Sequence, residues 1–174
     1  MKHHTVNAFA ATVLFSLGTT AFAAGPYIGL NYSQYELTNS STTSTLKPTG
    51  ATVRAGIDFT SFLALEGRAG VGVNSDERGP AEFDLDRLYG GYLKLSVPIA
   101  GVLSPYAIAG YSEVRGKASV LGVSATETYS DESYGVGVDA SVAGVIGLNV
   151  EYMRYLDENN SELNAVSVGV RSSF

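Results

Sequence analysis

Few side chains of this sequence are suited to catalysis. The 174-residue chain has no Cys, and its two histidines, His3 and His4, lie at the N-terminus. Histidine is the usual general acid or base near neutral pH, and a Ser nucleophile without it would need a Lys or a carboxylate as its base. We therefore predict that the protein is not an enzyme and that it holds no cofactor and no metal ion.

A pair of carboxylates also suggests acid–base chemistry. Asp58 and Glu66 fall on neighbouring segments, and two carboxylates that flank a bond are what glycoside hydrolysis uses. Basic residues occur on the same alternating faces, however, and buried charges of opposite sign are expected to pair. The sequence predicts a charge network in the barrel interior, made of Arg54, Asp58, Glu66, Arg68, Asp86, Lys94, Asp139, Glu151 and Arg171.

Apolar and polar residues alternate through most of the chain, and this period of two is typical of strands. The segment 63–73 shows it best, because Leu65 and Val71 alternate with Glu66 and Arg68. Each segment is about long enough to cross a bilayer at a tilt, which takes about 9–11 residues. Eight such strands are predicted, at 27–37, 50–59, 63–73, 85–97, 105–115, 127–140, 145–156 and 163–174.

The fifth predicted strand does not show which of its faces points inward. Tyr106 and Ile108 are apolar, and so are Ala107 and Ala109 on the opposite face. Glu113 shares the face of Ala107 and Ala109, and a charged side chain belongs with the interior network. We therefore predict that this second face points inward.

The connections between the predicted strands alternate in length. Polar connections alternate with short turns, the former at 38–49, 74–84, 116–126 and 157–162 and the latter at 60–62, 98–104 and 141–144. Loops on one side and tight turns on the other are typical of bacterial outer-membrane barrels. The predicted fold is all-β, an eight-stranded antiparallel transmembrane β-barrel with an up-and-down meander.

Both ends of the chain indicate export to the outer membrane. A basic start is followed by a mainly apolar stretch at 6–17, and Ala21 and Ala23 are small residues at the positions that cleavage requires. We predict a signal peptide at 1–23, too short for a spanning helix, and a barrel domain at 24–174. Phe174 ends the last strand, and a terminal Phe resembles the signal that the barrel-assembly machinery reads in Gram-negative bacteria.

Alternation alone does not determine which face of the barrel is outside. A soluble, lipocalin-like carrier would surround a small apolar ligand with its apolar face and expose its charges. Burying the charged face dry and unpaired would be very costly, but residues of both signs are present and can pair inside. The terminal Phe, the signal peptide and the loop pattern favour the membrane barrel, and the soluble carrier is the alternative.

Five stretches, in order and spacing, resemble the small outer-membrane β-barrel family that includes OmpA-like, opacity and Ail/OmpX-like proteins. They are GPYIGL at 25–30, SPYAIAGY at 104–111, GVGV at 135–138, LNVEYMRY at 148–155 and VSVGVRSSF at 166–174. The resemblance implies an eight-stranded barrel in the outer membrane of a Gram-negative bacterium. It implies no single activity, because the family includes adhesins, complement-evasion proteins and structural barrels.

The function predicted is that of a non-catalytic, monomeric barrel whose four extracellular loops make surface contacts, or which supports envelope integrity. Its expected partners are outer-membrane lipid and lipopolysaccharide, the barrel-assembly machinery, and host or neighbouring-cell surface molecules. The formal net charge of −6 argues against a nucleic-acid partner. A narrow pore is a further alternative, although eight strands leave an interior just wide enough for side chains to fill.

Two arginines, Arg87 and Arg154, fall on the outward register near the loop-side membrane boundary. A guanidinium at that height can bind lipopolysaccharide phosphate, or it can extend into the headgroup layer without a specific partner. Both interpretations remain open from the sequence.

Overall fold

Strands make up nearly all of the structure, as the alternating sequence predicts. The computed structural model describes residues 25–39, 44–74, 76–78, 81–120, 123–143, 145–158 and 161–174, so the predicted signal peptide lies outside the described residues. The strands in these ranges are β1 (Pro26–Asn39), β2 (Ser44–Leu46), β3 (Thr49–Asp58), β4 (Leu63–Asn74), β5 (Asp76–Arg78), β6 (Ala81–Ser96), β7 (Leu103–Val120), β8 (Val123–Ala143), β9 (Ile146–Glu158) and β10 (Ser161–Ser173). No helix in these ranges is long and apolar enough to cross a membrane.

The sheet closes on itself into a barrel. Eight long strands pair antiparallel with their neighbours, in the order β1, β3, β4, β6, β7, β8, β9, β10. β10 then pairs with β1, from Tyr27 opposite Ser173 to Asn39 opposite Ser161. Closure satisfies the backbone groups that would otherwise face lipid. The predicted eight-stranded up-and-down barrel is confirmed, and the short β2 and β5 pair with β1 and β6 on the loop side.

Apolar side chains cover the outside of the barrel, and charged side chains lie inside. On β4, Leu65 and Val71 are exposed while Glu66 and Arg68 are buried. Val168 and Val170 on β10 are likewise exposed. This is the reverse of the arrangement that a lipocalin-like carrier needs, so the structure excludes that alternative.

Aromatic residues ring the outer wall at both ends. Tyrosines face outward toward the loop side, and phenylalanines face outward at the turn side, where the chain also ends. These residues are Tyr32, Tyr89, Tyr111, Tyr134 and Tyr152 at the loop side, and Phe59, Phe62 and Phe174 at the turn side. Such girdles mark the two interfaces of an outer-membrane barrel and define the band between them as the hydrocarbon-facing part.

The polar connections are shorter than predicted because the strands continue into them. β7 runs to Val120 and β8 begins at Val123, so most of the predicted loop 116–126 is a paired hairpin. β2 and β5 occupy parts of the predicted loops 38–49 and 74–84. At 18 and 21 residues, β7 and β8 exceed the ~9–11 residues that a bilayer requires. Their hairpin therefore projects beyond the tyrosine girdle.

Candidate functional site

The middle of the barrel contains a buried ion-pair network centred on Arg68. Its Nη1 and Nη2 donate to the two carboxylate oxygens of Glu151, each at 2.6 Å, and its Nε donates to Glu66 at 2.7 Å. Two parallel bonds of this kind form the strongest type of arginine–carboxylate pair. Tyr27 donates to Glu66 at 2.6 Å, and Tyr106 donates to Glu151 at 2.8 Å. Each carboxylate is therefore hydrogen-bonded to the Arg68 guanidinium and to a tyrosine hydroxyl.

A second part of the network lies toward the turn side. Arg171 bridges two carboxylates, since it donates to Asp58 and, at 3.2 Å, to Asp139. Lys94 also donates to Asp139, and its ammonium lies 4.0 Å from the centre of the Tyr106 ring in a cation–π contact. Beyond these residues a polar mouth of about 330 Å³ opens at the turn side.

Arg54 has a different environment from the other cations. It is fully buried, yet none of its three guanidinium nitrogens has a hydrogen-bond partner among the described residues. Its Nη1 lies 3.8 Å from Oε2 of Glu66. Gly29 leaves room for the guanidinium, since a Cβ at position 29 would lie 3.2 Å from the Nε of Arg54. Glu66 thus lies between two guanidiniums and is hydrogen-bonded only to that of Arg68.

Asp86 does not join the interior network, contrary to the prediction. A β-bulge between Leu85 and Arg87 interrupts the alternation, and a bulge re-aims the side chains beside it. The Asp86 carboxylate lies 3.6 Å from the Nε of Arg87 and 3.5 Å from that of Arg115, at a partly exposed position on the loop-side rim. The eight remaining residues meet inside the barrel as four cations and four carboxylates, so the buried charges in the described interior balance.

The loop-side half of the interior is filled by apolar and aromatic side chains, most of which were not predicted from the sequence. The signal was present, because Met153 and Tyr155 share the inward register of Glu151. The residues of this plug are Tyr35, Leu88, Tyr92, Val114, Met153, Tyr155 and Leu163. Tyr35, Leu88 and Met153 are completely buried, so the interior does not favour the narrow-pore alternative.

The inward face predicted for the fifth strand, now β7, is wrong. Tyr106 and Ile108 are buried inside, whereas Glu113 is exposed on the outer surface. The Tyr106 hydroxyl explains the preference, because it donates to Glu151 and accepts from Asn149 at 2.6 Å. Glu113 lies two residues beyond Tyr111 on the same strand and opposite Tyr89, at the level of the tyrosine girdle, where a carboxylate meets headgroups and water rather than hydrocarbon.

The carboxylates Asp58 and Glu66 are not arranged as an acid–base pair. Asp58 lies opposite Ala64 on the neighbouring strand, and Glu66 lies opposite Gly56. Each carboxylate is bonded to a different arginine, and Glu66 is inaccessible to a substrate. This geometry favours a structural role for the two charges.

β8 separates from β9 above the rim of the barrel. β8 pairs with β9 from the turn side up to Tyr134, which lies opposite Arg154. Residues 123–133 pair with β7 alone among the described strands. A bond of 3.1 Å from the Ser133 hydroxyl to the Tyr155 carbonyl marks the point where β8 and β9 separate. An open strand edge offers backbone N–H and C=O groups to another strand.

Comparisons with known proteins agree with this architecture. Residues 8–174 match the family model described as outer membrane protein beta-barrel domain. Neisserial surface protein A (NspA) superimposes with a TM-score of 0.73 at 19% identity, over 87% of this chain and 99% of that chain. No curated protein sequence matches the chain.

Two further solved structures are similar at low identity. Ail, the attachment invasion locus protein of Yersinia pestis, solved with the heparin analogue sucrose octasulfate, has a TM-score of 0.67 at 16% identity, over 87% of this chain and 99% of that chain. The N-terminal β-barrel domain of Pseudomonas aeruginosa OprF has a TM-score of 0.55 at 14% identity, over 84% of this chain and 97% of that chain. At these identities the likeness shows the fold alone.

Proposed function

The chain belongs to the outer-membrane β-barrel domain family, and from that premise we propose that it is a non-catalytic barrel whose projecting β7–β8 hairpin contacts molecules outside the cell. The filled interior supports a function on the outside rather than transport through the barrel. The chain has no Cys, and its two histidines lie in the predicted signal peptide, which supports a role without catalysis.

The separation of β8 from β9 above Tyr134 is the observation that carries this proposal. The ladder between β8 and β9 ends at Tyr134, whereas the ladder between β8 and β7 continues through residues 123–133, which span roughly 35 Å at ~3.3 Å per residue. Strand addition to an open edge binds extended peptides through main-chain hydrogen bonds, and side-chain contacts then supply specificity. The proposed partner is therefore an extended segment of a protein on a host or neighbouring cell.

Shortening the hairpin tests this function. Gly116 and Glu127 are directly opposite, so an Asn-Gly turn can replace residues 117–126 without changing the register below. Bacteria that carry the shortened protein should lose adherence to an epithelial monolayer relative to bacteria with the intact protein. The matched control shortens the β1–β3 connection instead, which should leave adherence unchanged. Undiminished adherence of cells with the shortened hairpin would refute the proposal.

The filled interior favours a second candidate, a structural role in the envelope. A barrel whose core is packed with ion pairs and aromatic rings is a rigid element that needs no ligand. In that case a deletion strain should be sensitive to detergent, and the hairpin-shortened protein should restore resistance as well as the intact one. Unchanged detergent sensitivity of the deletion strain would contradict this role.

A further inference from the structure

The outer wall of the barrel carries a groove of about 850 Å³ that runs across β3, β4, β6 and β7. Two of its lining residues, Ala55 and Gly67, have little or no side chain and lie opposite each other, and the outward-facing Gly91 continues this row opposite Gly67. A Cβ at Gly91 would meet no atom within 4 Å, and one at Gly67 would meet only the carbonyl oxygen of Ala55, at 3.8 Å. The described side chains therefore leave this space open.

Apolar residues flank the groove, and tyrosines stand at its loop-side end. Val53 and Leu65 border the floor and are about half exposed. Tyr111 lies opposite Gly91, and Tyr89 lies two residues further along β6 toward the loops. Tyrosines in a girdle mark the headgroup level, and Gly91 lies two residues from Tyr89 toward the turn side, so the floor lies at the boundary between the headgroups and the acyl chains.

Charged residues follow directly beyond the tyrosines. Arg87 and Arg115 are opposite each other, and their side chains are 53% and 48% exposed. Both guanidiniums approach the single carboxylate of Asp86, which the bulge in β6 brings to the outside. Glu113 is exposed opposite Tyr89 and is the second acidic group at this end. Two arginines that share one carboxylate keep donors available for a phosphate.

We propose that this groove binds one phosphorylated glycolipid of the outer leaflet, with an acyl chain on the Gly67–Gly91 floor and a phosphate at Arg87 and Arg115. The four residue steps from Gly91 to Arg87 span roughly 13 Å of strand, which matches the distance from hydrocarbon to headgroup. A second barrel fits less well, because its convex wall cannot reach a floor recessed between Val53 and Leu65. This inference uses the outer wall and is independent of the hairpin function.

Native mass spectrometry of the protein purified from outer membranes tests the site with two probes, diphosphorylated lipid A and the same lipid without phosphates. The unaltered protein should retain one lipid A and prefer the phosphorylated probe. Gly67→Leu with Gly91→Leu fills the groove without a clash at either Cβ and should reduce retention of both probes. Arg87→Gln with Arg115→Gln should reduce the preference for phosphate by about tenfold, the loss expected for a charged hydrogen bond.

Two control variants show whether added bulk anywhere on the outer wall, or loss of any rim cation, is enough to reduce lipid A retention. Ala107→Leu adds a leucine to the outer wall outside the groove, and Lys47→Gln removes a rim cation that pairs with Glu36; both variants should retain lipid A like the unaltered protein. Unchanged retention in the groove-filling variant, or an equal phosphate preference in the arginine variant, would overturn the proposal. The proposal would also be overturned if the unaltered protein had the mass of a dimer and the groove-filling variant had the mass of a monomer. The occupant of the groove would then be a second copy of the barrel.

Discussion

At the residue scale, Arg54 and Arg68 carry the same charge inside the barrel but have different partners. Arg68 forms two bonds of 2.6 Å to Glu151 and one of 2.7 Å to Glu66. Arg54 makes no hydrogen bond to a described residue and approaches Glu66 only at 3.8 Å. Removal of either side chain takes one positive charge from the same interior. The pair therefore separates the effect of specific bonds from the effect of charge balance.

Arg68→Met should lower the free energy of unfolding by about 3–5 kcal/mol, because it leaves two buried carboxylates without their hydrogen-bonded cation. Arg54→Met is the matched variant and should cost clearly less, since no hydrogen bond is lost. Urea unfolding of the protein in lipid vesicles, followed by tyrosine fluorescence, measures both. Equal losses for the two variants would mean that net charge rather than specific bonding stabilises the interior.

At the element scale, the turn between β6 and β7 contains a strained residue. Ile99 and Leu103 pair across it, and the Val102 N–H donates to the Ile99 carbonyl at 3.2 Å. Ala100 and Gly101, which lie between Ile99 and Val102, have φ values of 52° and 69°. Positive φ at both central positions is the pattern of a type I′ turn, which glycine adopts without the steric cost that alanine has.

Ala100→Gly should therefore raise the free energy of unfolding by about 0.5–1 kcal/mol, since relief of the left-handed strain outweighs the added flexibility of the unfolded chain. Gly101→Ala should lower it by about 1 kcal/mol for the converse reason. The same urea titration compares the two variants. A stabilising Gly101→Ala change would show that this turn has another conformation.

The last strand offers a prediction about assembly. The Phe174 N–H donates to the Pro26 carbonyl at 3.0 Å, but its side chain is 77% exposed and packs little. Deletion of Phe174 should lower the amount of protein in the outer membrane and leave the unfolding midpoint of the assembled fraction nearly unchanged. Quantitative blots of membrane fractions and urea titration measure the two effects. Normal outer-membrane levels of the truncated protein would refute an assembly role for this residue.

At the scale of the whole molecule, the continuous pairing of β1 with β10 makes the barrel a closed unit. Opening it requires loss of a complete strand pairing together with exposure of the buried ion pairs. The protein in carbonate-washed outer membranes should therefore migrate in a detergent gel at a different position unheated than after boiling, because the closed barrel resists detergent until it is heated. Identical migration before and after boiling would contradict a closed membrane barrel.

Some side chains were assigned to the wrong face of a strand, because the alternation within one strand contains no information about how that strand pairs with its neighbours. Alternation correctly placed Glu66, Arg68 and Glu151 on inward faces because the parity of a strand is a local property. Alternation wrongly placed Asp86 inside, because the bulge that turns Asp86 outward arises from the pairing of β6 with β7. It chose the wrong face of β7 because the partners of Tyr106 come from β9, far along the chain.

Composition and alternation were sufficient for the all-β class, the eight long strands and the separation of apolar from charged faces, since each follows from a period of two in the chain. The three-dimensional arrangement was needed for contacts between distant segments. It alone shows that Arg68 bonds Glu151, that Gly67 and Gly91 form one floor, and that β8 and β9 separate above Tyr134. Strand register and barrel closure determine these contacts, and they depend on all the strands together.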